Sequence, residues 1–376
     1  MDIGQLMKNP TNNKIRVIQI LSGGNIGGAE RLVQWFAELA DRSRFDYFFI
    51  FIYYGGPIEE AIASLGYPTK ILMWKNGISL IGRLKLIKLI LDLDPDLIHD
   101  HSQTPFTRVL LKLAAKVPII TTQHGIIRPS SFQWLFLFFD DIITSLVIAN
   151  SNFIAQKHAQ LFRRPISKIA TVHMGINTER YKENSHDLPL GGDVEPIRIA
   201  YIGRLEELKG IFHVPLLAKE LMDLGEKFTI NIAGDGPARK ACEYLAHEMG
   251  MDGCINFLGW KSDVKKVLST SDILVFLSLY EEGFGLVLLE AIAAGVPVFA
   301  YSGGGVGEIL ENAPYTWVVP KGNYKQMAEL IVINKKIIRK RDTLAGYQYV
   351  KNHFDIKQTV QKLEYIYSKY SQRTLP

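Results

Sequence analysis

Several features are scarce in this 376-residue chain, and each scarcity removes a class of function. There are two cysteines, Cys242 and Cys254, so neither a disulfide framework nor a cysteine zinc site is indicated. The most apolar run, 131–148 (SFQWLFLFFDDIITSLVI), is interrupted by Asp140 and Asp141, which argues against a membrane span. The opening residues MDIGQLMKNPTNNK lack the apolar core of a secretion signal, so cytoplasm is the expected location. No nucleic-acid motif appears, and a net charge of +5 is too mild to suggest nucleic acid. That charge suits nucleotide diphosphates or a phospholipid surface instead. The G-x-G-x-x-G fingerprint is missing, which removes a dehydrogenase. No Asp-x-Asp pair follows a strand to hold Mg²⁺. Repeats and low-complexity tracts are also lacking.

What is present is a globular composition, 47% hydrophobic and 22% charged, long enough for two domains. The chain is organised around 272–308, DILVFLSLYEEGFGLVLLEAIAAGVPVFAYSGGGVGE. A short apolar strand at 273–277 precedes the turn Glu281-Glu282-Gly283-Phe284-Gly285. A helix over 286–294 follows, stopped by Gly295 and Pro297, then a second apolar strand and the loop Gly303 to Gly307. This is a strand–loop–helix–strand unit of a parallel sheet, whose ligands bind at the carboxyl ends of the strands. Glu290 is the single charge on a helix apolar all round, and is expected to be buried. Its carboxylate needs donors, supplied either by an internal partner or by ligand hydroxyls. Glu282 stands at the helix entrance, where the N–H groups of Phe284 and Gly285 can point at a polar ligand.

Glu282, Gly283, Phe284, Gly285 and Glu290 together resemble the E-x7-E signature of retaining GT-B glycosyltransferases of the family-4 type. The AxxAGxPV continuation and the GGxxE loop strengthen the match. The resemblance implies a fold of two Rossmann-like parallel-sheet α/β domains facing across a cleft. It covers nearly the whole chain, densest in the second half.

The first half opens with a strand at 15–21 and the glycine-rich turn Ser22 to Glu30, with a helix expected over 31–41. Such a turn either cradles a phosphate or is merely tight. It resembles the family's GGAER loop, which makes Gly27 and Gly28 the expected donor contacts. Further strands are expected at 47–53, 97–100, 119–123 and 146–149, with a helix over 80–91. His99 and His101 share one face of a strand end, and His124 follows the next strand. A metal is a weak reading of these three, because no carboxylate or cysteine stands at diagnostic spacing. By resemblance His124 faces the reacting sugar carbon, and His101 lines the acceptor pocket. Trp134, Phe136, Phe138 and Phe139, with Arg83, Lys85 and Lys88, allow a peripheral contact with an anionic membrane, although core and solvated-face readings compete.

The polar stretch 183–195 reads as an interdomain linker. A strand at 198–202 then enters GRLEELKG, where Arg204 offers a bidentate fork and Lys209 a point charge. Two cations in a loop are ordinarily a solvated surface; the family's GRLxxxKG instead neutralises the leaving diphosphate. Strands at 228–233 and 255–259 follow, and by resemblance Gly259, Trp260 and Lys261 meet the nucleotide base. A basic helix is expected over 321–338, and a terminal helix over 356–370 would cross back onto the first domain.

These readings imply a first, acceptor-binding domain at 1–183, with 354–376 packed back on it, and a donor-binding domain at 196–353. The implied function is retaining transfer of a sugar from a nucleoside-diphosphate sugar, UDP- or GDP-linked, to a hydroxyl of a carbohydrate or lipid-linked acceptor. The setting implied is bacterial glycan, glycolipid or surface-polysaccharide synthesis, in the cytoplasm or at the inner face of the membrane. Catalytic roles fall to His124, Glu282, Arg204 and Lys209. Donor contacts fall to Gly27, Gly28, Arg204, Lys209, Gly259, Trp260, Lys261, Glu282, Gly283, Phe284, Gly285, Leu286 and Glu290, and acceptor contacts to His101 and His124. No metal or other cofactor is expected. The alternatives are a nucleotide-sugar epimerase or a catalytically inactive nucleotide-sugar-binding protein of the same fold.

Overall fold

The structure is a computed structural model and describes residues 14–25, 27–75, 79–102, 105–126, 143–182 and 195–371. The aromatics Trp134, Phe136, Phe138 and Phe139, and linker residues 183–194, lie outside these. The chain divides into two compact units, 1–175 with 356–376, and 176–355.

The first unit holds seven strands: β1 (Ile15–Gly23), β2 (Phe45–Tyr54), β3 (Thr69–Ile71), β4 (Leu97–Asp100), β5 (Ile119–Gln123), β6 (Leu146–Ala149) and β7 (Ile169–Thr171). All pair in parallel, in the order β3-β2-β1-β4-β5-β6-β7. Parallel sheets carry helices on both faces, so their strands are apolar runs rather than alternations. The burial of β1 follows that rule: of IRVIQILSG, only Arg16 and Ser22 are not buried. The chain reverses at β1 and β4, which pair with their neighbours on opposite sides, and this switch point is where β1, β4 and β5 deliver their carboxyl ends.

The second unit repeats the plan with β8 (Ile197–Ile202), β9 (Phe228–Ala233), β10 (Ile255–Gly259), β11 (Ile273–Phe276), β12 (Val298–Tyr301) and β13 (Thr316–Val319), ordered β10-β9-β8-β11-β12-β13. Its core joins β8, β9 and β11 to the helix His213–Asp223 through Ile199, Ile230, Ile232, Val275, Leu217 and Leu221. Each such buried aliphatic side chain contributes about 1.5–3 kcal/mol relative to exposure.

The terminal helix Ile356–Tyr370 belongs to the first unit. It buries Ile356, Thr359, Val360, Leu363, Glu364 and Tyr367, a helical stripe, against β1 and the helix Gly28–Leu39. Glu364 accepts from the Asp41 N–H at 2.7 Å and from the Tyr47 hydroxyl at 3.2 Å, and burial raises its pKa.

Four expectations are corrected. The unit boundary falls before Ile176 rather than after 183, because 176–181 bonds to the second unit: the Ile176 N–H donates to Phe354 O at 2.9 Å, and Thr178 bonds Asp355. The helix after the glycine turn begins at Gly28, not Arg31, because Gly27 takes the extended N-cap conformation (φ −137°, ψ 171°). The helix expected over 321–338 is two, Tyr324–Ile333 and Lys335–Arg339. Asn323 caps the first by accepting from the Gln326 N–H, and the break falls at Asn334. Arg83 is 7% exposed: its guanidinium lies over Trp74 and Phe106 and donates to Thr107, so it faces inward rather than toward a membrane. Strands β3 and β13 had no counterpart in the sequence reading, being too short to show a period.

Candidate functional site

In the second unit the predicted residues gather at the carboxyl ends of β8 and β11. Lys209 closes a short 3₁₀ turn, Glu207–Lys209, whose end is fixed by the Tyr201 hydroxyl donating to Lys209 O at 2.9 Å. Gly210 follows with φ +72°, and a Cβ there would stand 1.8 Å from Leu277 O. Only glycine permits that approach, and it brings Lys209 onto the loop after β11. There the Lys209 ammonium donates to Glu282 Oε1 at 2.6 Å, and Ser278 Oγ donates to the same oxygen at 2.6 Å.

The Gly303–Gly307 loop is stitched to the same place. Gly304 has φ +62°, and a Cβ there would stand 2.1 Å from Glu282 O. The next residue, Gly305, donates its N–H to that oxygen at 2.8 Å. Gly303 leaves room for Lys321, whose Nζ would lie 3.1 Å from an added Cβ. The sequence reading missed both Lys321 and Ser278. Ser278, four residues before Glu282 on a strand end, carried a usable signal; Lys321, behind β13, carried none.

The remaining residues take distinct places. The Arg204 side chain is 73% exposed and pairs with Glu206 at 3.1 Å. Phe284 is buried, edge-on to Phe354 at 5.8 Å, so its ring is core and only its backbone faces outward chemistry. Gly283 is buried, while Gly285 (φ +112°) and Leu286 start the helix Leu286–Ala293. Glu290 is half-buried rather than buried, and accepts from the Tyr181 hydroxyl at 3.1 Å. Burial, then the Glu290 charge, raises the Tyr181 phenol well above its ordinary pKa, so it remains a donor. Gly259 (φ +71°) ends β10 and accepts from the Gly234 N–H at 2.9 Å, and Trp260 and Lys261 beyond it are exposed.

In the first unit Gly27 and Gly28 form the N-terminus of the helix Gly28–Leu39. His101 and His124 gather elsewhere, at the ends of β4 and β5, with ring centroids 5.8 Å apart and planes 23° from parallel. His99 stacks on His101 at 4.0 Å. Both His99 nitrogens are occupied, Nδ1 at 2.6 Å from the Tyr367 hydroxyl and Nε2 at 2.6 Å from Thr122 Oγ1. No metal-holding cluster of His, Cys, Asp or Glu occurs among the described residues. Burial pushes His99 down to about 3, His124 down to about 4 and His101 well below the usual imidazole value, so all three are neutral at pH 7. Both nitrogens of His124, and Nδ1 of His101, are buried without a hydrogen-bond partner among the described residues. Asp100, on the opposite face of β4, forms a fully buried pair with Arg108 at 2.7 Å.

The arrangement offers a partly exposed ion pair at the strand ends of the second unit, and in the first unit neutral histidines with ring nitrogens unpaired among the described residues, the Asp100–Arg108 pair being fully buried. The family model for glycosyl transferases group 1 matches residues 187–344, and that for glycosyltransferase family 4 matches residues 26–180. The putative glycosyltransferase EpsF of Bacillus subtilis (strain 168) is 26% identical over 302 residues, 75% of this chain and 78% of that protein. An Escherichia coli protein, UDP-Gal:alpha-D-GlcNAc-diphosphoundecaprenol alpha-1,3-galactosyltransferase, is 25% identical over 327 residues, 80% of this chain and 83% of its own. The crystal structure of Anabaena HepE with UDP and glucose superimposes with a TM-score of 0.77 at 20% identity, covering 94% of this chain and 99% of that one. That likeness establishes the GT-B fold.

Proposed function

From the premise that the chain belongs to the group 1 glycosyl transferases, we propose that it moves a sugar, with retention, from a nucleoside-diphosphate sugar to an acceptor hydroxyl. The observation that carries this reading is the assembly at the ends of β8 and β11: Lys209 and Ser278 on the Glu282 carboxylate, with the Gly303–Gly305 loop bonded beneath it. Lys209, Arg204 and the Gly304 amide stabilise the charge that develops on the departing diphosphate, the work a metal ion does in other enzymes. Glu282 holds donor-sugar hydroxyls while it accepts from Lys209 and Ser278. Glu290 accepts ribose hydroxyls beside the Tyr181 donor, and the exposed Trp260 presents a face to the base. His101 and His124 meet the acceptor. Thus the first unit serves the acceptor and the second the donor.

A UDP-linked donor is the reading best supported, since HepE binds UDP and glucose. The undecaprenol named in the E. coli relative favours a lipid-linked acceptor of polysaccharide synthesis. The helix Leu80–Leu93 suits that setting, with Leu80, Ile81, Leu84 and Leu91 exposed beside Lys85 and Lys88. No helix among the described residues is long and apolar enough to cross a membrane. Screening UDP-, GDP- and ADP-sugars for hydrolysis and thermal stabilisation tests the reading. Stabilisation and turnover by one UDP-sugar is the expected result; silence across the whole panel contradicts it.

A further inference from the structure

A buried relay connects the terminal helix to the strand ends of the first unit. The Tyr367 hydroxyl is reached by Gln19 Nε2 at 2.9 Å and lies 2.6 Å from His99 Nδ1. The other end of the same amide, Gln19 Oε1, lies 2.9 Å from His101 Nε2. Gln19 and Tyr367 are both essentially without solvent contact, 1% and 0% exposed, so their polar atoms must be satisfied by these partners.

With the Gln19 amide nitrogen on Tyr367 and its oxygen on His101, the donors and acceptors follow in one order. Gln19 gives an N–H to the Tyr367 oxygen, and the Tyr367 hydrogen goes to His99 Nδ1. His99 therefore carries its proton on Nε2 and donates to Thr122 Oγ1. On the other branch, Gln19 Oε1 only accepts, so His101 must donate from Nε2. A neutral imidazole has one N–H and one lone pair, which leaves the lone pair on His101 Nδ1. That nitrogen is buried and without a partner among the described residues. An open acceptor held in a fixed direction suits a hydroxyl group and repels an anion. Burial keeps all three rings neutral at pH 7, which removes the alternative of an imidazolium seeking a phosphate.

We propose that Tyr367 and Gln19 are positioning residues that hold His101 in its Nε2–H form, so that Nδ1 accepts a hydrogen bond from an uncharged polyol hydroxyl of the acceptor substrate. This rests on the reading above in which the first unit receives the acceptor. The terminal helix is then part of the acceptor site's construction, because it supplies the oxygen that orients the Gln19 amide.

The test uses the full chain labelled with ¹⁵N-histidine, read by long-range proton–nitrogen NMR at pH 7. Wild-type His101 is expected to show a protonated Nε2 and a bare Nδ1. D-Glucose, used as an uncharged polyol probe, should move the His101 Nδ1 resonance, and inorganic phosphate at the same concentration should not. In Tyr367→Phe and in Gln19→Met the two nitrogens should become averaged between tautomers. Half-saturation by D-glucose should rise about two- to tenfold, the range for one neutral hydrogen bond. The two variants break the relay at different links, so a loss of stability in one leaves the other readable. A protonated Nδ1 in the wild type overturns the proposal, as does a response to phosphate instead of D-glucose, or an unchanged response in both variants. UDP calorimetry on the same samples reports the second unit: absent UDP binding sinks the functional reading and the acceptor assignment together. Intact UDP binding with a silent His101 sinks this proposal alone.

Discussion

The two units share a strand plan but finish their strand ends in opposite chemistry. In the second unit the ends of β8 and β11 carry an ion pair, Lys209 with Glu282, and glycine backbone packed so closely that no side chain fits. In the first unit the ends of β4 and β5 present three closely packed neutral histidines, with the Asp100–Arg108 pair buried on the opposite face of β4. A charged end suits a diphosphate whose charge grows during transfer; a neutral end suits hydroxyls. On the function proposed above, one fold used twice would separate the ionic part of a reaction from its polyol part by which side chains follow each strand.

The largest expected effect tests the charged end. Lys209→Ala removes a cation that neither shapes the sheet nor fills the core, so the fold should persist. Turnover should fall about 10²–10³-fold, roughly 3–4 kcal/mol of transition-state stabilisation. Steady-state rates with the donor found by the sugar panel check this; an unchanged rate would put the ionic chemistry elsewhere.

Acid sharpens the neutral end. Unfolded histidines take up protons near pH 6.5, whereas the folded His99 and His124 do so only near 3 and 4. Between those values the unfolded chain binds more protons, so this stability is fully present above about pH 6.5 and is lost as pH falls below it. Each histidine should cost about 1 kcal/mol per pH unit in that window. Chemical denaturation at pH 7.5 and 5.5 should show that decline, and His99→Gln should lessen it by one histidine's share. A wild-type stability independent of pH across this range would mean that the three rings take up protons in the fold just as they do in the unfolded chain.

Glu290→Gln asks whether the second unit's acid serves ligand or fold. The amide oxygen still accepts from Tyr181, so the melting temperature without ligand should change little. Nucleotide affinity should fall roughly 10- to 150-fold, because a charge-assisted bond is worth about 1.5–3 kcal/mol. A much lower melting temperature beside unchanged affinity would make Glu290 a purely internal partner.

The two ends also differ in how far they can be read before folding. The charged end is written in contiguous segments: GRLEELKG and EEGFG each follow a strand, and Gly210 stands beside the Lys209 it positions, although Gly304 meets Glu282 from a later loop. What could not be read there was pairwise. Nothing in the spacing says that Lys209 meets Glu282 rather than solvent, or that Tyr181, before the second sheet begins, reaches Glu290. The histidine end is assembled across the chain. Its rings follow two strands, which sequence placed correctly, but Tyr367 stands 348 residues from Gln19. The terminal helix could be recognised by its apolar stripe, yet a tyrosine on that stripe looks like any other buried aromatic. Only the fold shows that its hydroxyl sets a proton on an imidazole. Arg83 failed for the converse reason: on an amphipathic helix an arginine reads as outward, and its two aromatic neighbours come from elsewhere in the chain.

The central claim is that side chains and the Gly304 amide of the second unit hold a nucleoside diphosphate without a metal ion. Calorimetry of UDP against protein kept in excess EDTA tests it most directly, on the wild type and on Lys209→Met. The account predicts that the wild type binds UDP in EDTA and that Lys209→Met binds it about 10- to 100-fold more weakly, the cost of one desolvated charge contact. Binding by the wild type only after Mg²⁺ or Mn²⁺ is added, or equal binding by the two proteins, would contradict it.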